Sequence, residues 1–126
     1  MAIIKSFTSL EQSKELAEIL PLKSADMYYC YGTNIHTKEW SFDDTPTIID
    51  NSNQIDVNAD IPCWSLAALL DVLPFPQLSK DKLGSGKEGW MVSVYPNDCR
   101  YDSCWHDNPV DACYEMIIKL HEQKLL

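Results

Sequence analysis

The chain predicts an α+β fold: an antiparallel sheet built from two hairpins, with three helices packed against it. Two observations carry this. Apolar residues recur at helical spacing in three stretches and alternate at period two in the intervening ones, in the order helix, hairpin, helix, hairpin, helix. A length of 126 residues with a 45% hydrophobic share is enough for one core, so residues 1–126 are expected to form a single α+β domain.

The first helix is expected in "SLEQSKELAEILP". Ser9 with Gln12 reads as a capping box, in which each side chain satisfies an orphan amide of the helix start. Leu10, Leu16, Ala17 and Leu20 follow near helical spacing, and Pro21 ends the run. "MYYCYGTNIHTKEWSF" then alternates, so a hairpin is expected over 26–42, turning at Gly32-Thr33-Asn34. Residues 43–60 contain no base and read as a long acidic loop, with a short strand at Thr47 to Ile49. "IPCWSLAALLDVLP", bounded by Pro62 and Pro74, is expected to be a deeply buried second helix carrying Trp64, Leu66, Leu69, Leu70 and Leu73. "FPQLSKDKLGSGKEG" reads as a connector, and "WMVSVYPNDCRYDSCW" as a second hairpin turning at Pro96-Asn97-Asp98. Asn108 then supplies an N-cap, Pro109 the first helical position and Asp111 the third. The last helix is expected to pack a stripe of Val110, Cys113, Tyr114, Ile117 and His121 on the sheet.

Charge restricts function. A formal net charge of -9 argues against direct nucleic-acid binding, because that affinity comes from Lys and Arg displacing counterions, and it disfavours anionic membranes equally. The opening "MAIIKSFTSLEQSKEL" turns polar too soon for a signal peptide or anchor, and no stretch approaches the roughly 18 apolar residues of a span. The expected location is the cytoplasm. Five cysteines, an odd number without an export signal, read as thiols rather than a disulfide framework.

Two stretches invite chemistry. On a regular strand over 99–105, Cys99, Tyr101, Ser103 and Trp105 would face the core, leaving Asp102, Cys104 and His106 in an outward row with steps of about 7 Å. That row offers zinc three ligands where it takes four. It also sets Cys104 and His106 about twice as far apart as a nucleophile and its base, which must approach to about 3 Å. "GSGKEG" has Glu88 where a phosphate loop needs Ser or Thr, so it reads as a flexible loop. His36 and His121 stand alone. Neither metal nor cofactor is expected, and the enzyme reading on Asp102, Cys104 and His106 is the alternative.

The aromatic hairpin and the acidic loop offer a surface instead. Tyr28, Tyr29, Tyr31, Trp40 and Phe42 cannot all face one side of a strand pair, and Glu39 to Asp60 carries six acids without an intervening base. Trp40, Asp43, Asp44, Asp50 and Asp56 are the candidate binding residues, and a protein is the expected partner.

"SFTSLEQSKELAEILPLKSADMYY", "IPCWSLAALLDVLP" and "NPVDACYEMIIKLHE", about half the chain, resemble small uncharacterised proteins of prophages and mobile elements in gut bacteria. The resemblance implies an intracellular accessory protein and assigns no residue a role. Segments 32–60 and 75–105 lie outside it. The expectation is therefore a non-enzymatic binding module acting through an acidic and aromatic surface. A second possibility is an acidic nucleic-acid mimic that occupies the basic cleft of a host DNA-binding protein.

Overall fold

The computed structural model describes residues 5–33 and 35–126. Asn34 of the expected turn and the first four residues of the opening segment lie outside the described residues. Among the described residues the architecture is α+β, with antiparallel sheets and three α-helices, and there are two compact units, Ser9–Ser65 and Leu66–Leu126 with residues 5–8. Among the described residues no helix is long and apolar enough to cross a membrane.

The first unit begins with α1 (Leu10–Ala17). Its start follows from the capping box, with Gln12 N–H donating to Ser9 Oγ at 3.2 Å and Ser9 N–H to Gln12 Oε1 at 3.0 Å. Five short strands follow: β1 (Met27–Tyr29), β2 (Tyr31–Thr33), β3 (Trp40–Phe42), β4 (Thr47–Ile48) and β5 (Ile61–Cys63). β1 lies between β4 and β5, while β2 and β3 form a separate two-stranded ribbon. The expected first hairpin is thus divided. Tyr28 and Tyr29 on β1 are buried, whereas Tyr31 and Trp40 on the ribbon are exposed.

Helix α1 packs on β5, and Leu16, Leu20, Cys63 and Trp64 are buried. The Trp64 indole N–H donates to Ser24 Oγ at 2.9 Å, so burying the ring leaves its donor satisfied. Asp26 accepts from both the backbone N–H and the hydroxyl of Ser65.

The second unit holds α2 (Leu66–Val72), β6 (Gln77–Lys82), β7 (Glu88–Val94), β8 (Tyr101–Asp102) and α3 (Pro109–Glu122), with β7 central in its sheet. Helix α2 is shorter than the 61–74 run suggests. Ile61–Cys63 pairs with β1, Trp64 lies ahead of the helix, and within α2 only Leu69 is fully buried. Pro62 sits on an edge strand, where its missing N–H leaves no ladder bond unmade on the inner side.

The stretch read as a connector contains β6, the partner of β7 from Gln77↔Ser93 to Lys82↔Glu88. "GSGKEG" supplies its hairpin turn: Gly86 N–H donates to Leu83 C=O at 2.8 Å with φ 86°, a left-handed conformation suited to glycine.

Helix α3 packs on β7 and α2. Its start is as expected, with Asn108 Oδ1 accepting from Asp111 N–H at 2.8 Å and Pro109 at the first position. Its buried face is rotated from the expected stripe: Val110, Cys113, Met116, Ile117 and Leu120 are fully buried, while Tyr114 is half-buried and His121 exposed. Met116 and Leu120 are purely apolar and take the places assigned to the two residues with polar tips. Asn108→Ala should lower stability by about 1 kcal/mol, because the Asp111 amide loses its acceptor. An unchanged urea midpoint would remove Asn108 as the cap.

Candidate functional site

Period two places Tyr31, Thr33, Trp40 and Phe42 on one face of the β2–β3 ribbon, and Gly32 and Ser41 on the other. The aromatic face is ordered by ring contacts. Tyr31 and Phe42, directly opposite in the ladder, have centroids 4.8 Å apart, and Tyr31 lies diagonally from Trp40 at 5.6 Å. Both spacings suit tilted aromatic pairs. Lys14 Nζ stands 5.5 Å from the Phe42 centroid, so this face already carries one cation. Trp40 nevertheless keeps 64% of its surface in solvent, Tyr31 39%, and Ile35 in the connecting turn 89%.

The acids divide by role. Asp43 and Asp44 leave β3 with exposed side chains, and beside them a shallow recess of about 170 Å³ is lined by Gly32, Thr33, Ser41, Phe42, Asp43 and Asp44. The negative field reaches the ribbon's base: burial pushes the Cys30 thiol up, and the charges of Asp60 and Asp43 push it further.

Asp50 and Asp56 are occupied differently. Asp50 Oδ1 accepts from Ser52 N–H, Ser52 Oγ and Asn53 N–H, bonds that hold its carboxyl below the usual range against the effect of burial. Asp56 Oδ1 accepts from Asn58 N–H at 3.0 Å, and Asp60 accepts from Tyr31 N–H and Asp56 N–H. These three carboxylates shape the loop, as Asx turns do. Of the five candidate binding residues, Trp40 stands on the aromatic face of the ribbon, Asp43 and Asp44 line the recess at the end of β3, and Asp50 and Asp56 serve their own turns.

The outward row of Asp102, Cys104 and His106 is interrupted. Ser93 pairs with Asp102, but Trp90 pairs with His106, so four steps on one strand oppose three on the other. This extra residue is a bulge, and it turns His106 to the opposite face from Asp102. Asp102 engages Arg100 Nε and Ser93 Oγ, each at 2.7 Å, and the hydrogen bond from Arg100 followed by that from Ser93 holds its carboxyl below the usual range. Trp105, expected in the core, is 40% exposed for the same reason.

His106 Nε2 instead lies 3.1 Å from Glu115 Oε1 on α3, and Glu115 Oε2 accepts from Cys104 N–H at 2.9 Å. Burial raises the Glu115 carboxyl, but these bonds and one from the Cys104 thiol outweigh it and hold it low. Glu115 stands out only in the structure, since nothing in its sequence surroundings links it to residue 104 or 106. Among the described residues no group of three or more His, Cys, Asp or Glu side chains is placed to hold a metal ion.

No protein-family model, curated protein or solved structure matches the chain.

Proposed function

We propose that the chain is a protein-binding module, and that its partner docks on the β2–β3 ribbon through Tyr31, Trp40 and Phe42 with Asp43 and Asp44 alongside. The observation that carries this reading is Trp40. An indole 64% exposed, beside a tyrosine that contacts both it and Phe42, is an anchor whose ordering cost on binding is small. Asp43 and Asp44 supply a rim that selects positive charge and speeds encounter. The resemblance of three segments to small uncharacterised proteins of prophages and mobile elements favours a host protein as that partner. A nucleic-acid mimic is less well supported, because the carboxylates of Asp50, Asp56 and Asp60 already accept backbone N–H groups of their own unit.

Trp40→Ala should weaken capture of the partner from host lysate by roughly thirtyfold, the effect of losing a central anchor worth about 2 kcal/mol. Asp43→Lys with Asp44→Lys should weaken it too, and more at low salt. Both variants should keep the parental urea midpoint, since the altered side chains are exposed. Undiminished capture by both variants would remove the ribbon as the binding surface.

A further inference from the structure

The register of the ribbon determines which backbone groups face outward. Asp43 N–H donates to Cys30 C=O at 2.9 Å, which makes that pair hydrogen-bonded and, by alternation, Gly32↔Ser41 the next such pair. At Tyr31↔Phe42 and Thr33↔Trp40 the N–H and C=O groups therefore point away from the partner strand. On the β2 side, Asp60 takes the Tyr31 N–H at 3.2 Å. On the β3 side the sheet ends, and among the described residues none pairs with the backbone of Trp40 or Phe42.

We propose that β3 is a docking edge at which an extended segment of a partner protein, alternating apolar and basic residues, adds as a third strand. This deepens the reading of the ribbon as the binding surface and rests on it. An open edge supplies main-chain hydrogen bonds, and the two faces beside it select alternate side chains. On one side the incoming residues lie next to Trp40 and Phe42, which favours apolar groups. On the other they lie beside Ser41, with Gly32 one strand further in, where a Cβ would meet nothing within 4 Å, and Asp43 and Asp44 line the same recess. Long cationic side chains fit that bare floor and its acidic end.

Charge also argues against a second copy as the occupant. Antiparallel pairing of β3 with itself about Ser41 would set Glu39 of each chain against Asp43 of the other, only partly offset by Lys38 against Asp44, and each chain carries a net charge of -9. The flanking acids thus deter self-pairing while admitting a basic strand, the role gatekeeper charges play at exposed edges.

The test uses the full chain and the capped peptide Lys-Val-Lys-Val-Lys-Val-Lys, with affinity from titration and exchange of the Trp40 and Phe42 amides followed by NMR. Binding should slow both amides by about tenfold or more, as expected when open N–H groups become paired. Of two peptides N-methylated on all lysines or all valines, one should lose about tenfold or more in affinity, because the N–H groups of the two sets point to opposite edges. A glutamate-for-lysine peptide should not bind. Equal binding by both methylated peptides, unprotected amides, or no binding of the parent peptide would overturn strand addition. A self-associated dimer with both amides protected would overturn it too. Those failures are distinguishable from failure of the ribbon itself, which shows as undiminished partner capture by the Trp40→Ala and charge-reversed variants.

Discussion

Trp64→Ala is expected to cost about 3–5 kcal/mol of folding stability, the range for truncating a large aromatic side chain in a closed interior. The indole is fully buried, so its removal leaves a cavity lined by groups that lose their dispersion contacts. It also breaks the bond from the indole N–H to Ser24 Oγ. Ser24 cannot simply turn outward, because its hydroxyl donates to Pro21 C=O at 2.6 Å across the short turn Leu22–Ser24. Trp64→Phe separates the two contributions: it keeps most of the apolar volume and should cost less than the alanine variant, part of it from the lost bond, which is worth about 1 kcal/mol. Urea denaturation with a common slope measures both. A loss below about 1 kcal/mol for Trp64→Ala would show that the surroundings collapse onto the site and that the ring does not organise them. Against a total of about 5–15 kcal/mol for an ordinary folded protein, the expected loss leaves little margin.

Trp64 also shows what the sequence could not reveal. Ile61, Cys63, Leu66, Leu69 and Leu73 are all apolar, and a strand running into a short helix produces the same near-continuous run as one buried helix. Only pairing with β1 distinguishes them. Strand β6 was hidden for the opposite reason. It is an edge strand whose Lys80, Asp81 and Lys82 face solvent, with Lys80 bridging to Glu88 at 3.1 Å and standing 5.1 Å over the Trp90 ring, so it lacks the apolar alternation of a half-buried strand. The starts of α1 and α3 were readable because caps are local chemistry: Ser9 with Gln12, and Asn108 with Pro109 and Asp111, act within four residues of one another.

The same division runs through the candidate site. Trp40, Asp43 and Asp44 are sequence neighbours, and adjacency alone keeps them at one end of the ribbon, although alternation sets Trp40 and Asp43 on opposite faces. Asp50 and Asp56 stand just before Asn and Ser residues that form turns on their carboxylates, a signal present in "DNSN" and "DVNAD" but outweighed by their charge. The bulge that separates His106 from Asp102 has no glycine to announce it, and Glu115 reaches the site only through the packing of α3 on β7.

The cysteines provide the other large effect. At pH 8 a disulfide reagent should modify the exposed Cys99 and Cys104 rapidly, while Cys113 reacts at least about a thousandfold more slowly. Cys113 is fully buried on α3, and burial pushes its thiol up to about 12. Thiolate is the reacting form, and a thiol at that value is ionised to roughly one part in ten thousand at pH 8, against about a quarter for an ordinary cysteine. Burial then denies the reagent access as well, so modification must await opening of the fold. The same shift has a sign in stability: the protonated thiol favours the folded state fully below about pH 8.5, and that contribution is lost as the pH rises towards 12. In denaturant all five thiols should react alike. Fast modification of Cys113 in the folded protein would mean that α3 opens readily from β7. Cys104 carries the remaining weight, because its neighbours include Glu115 and, through it, His106. With a carboxylate between thiol and imidazole, His106→Ala should leave the modification rate of Cys104 unchanged, whereas a large fall in that rate would show that His106 activates the thiol and restore the enzyme alternative.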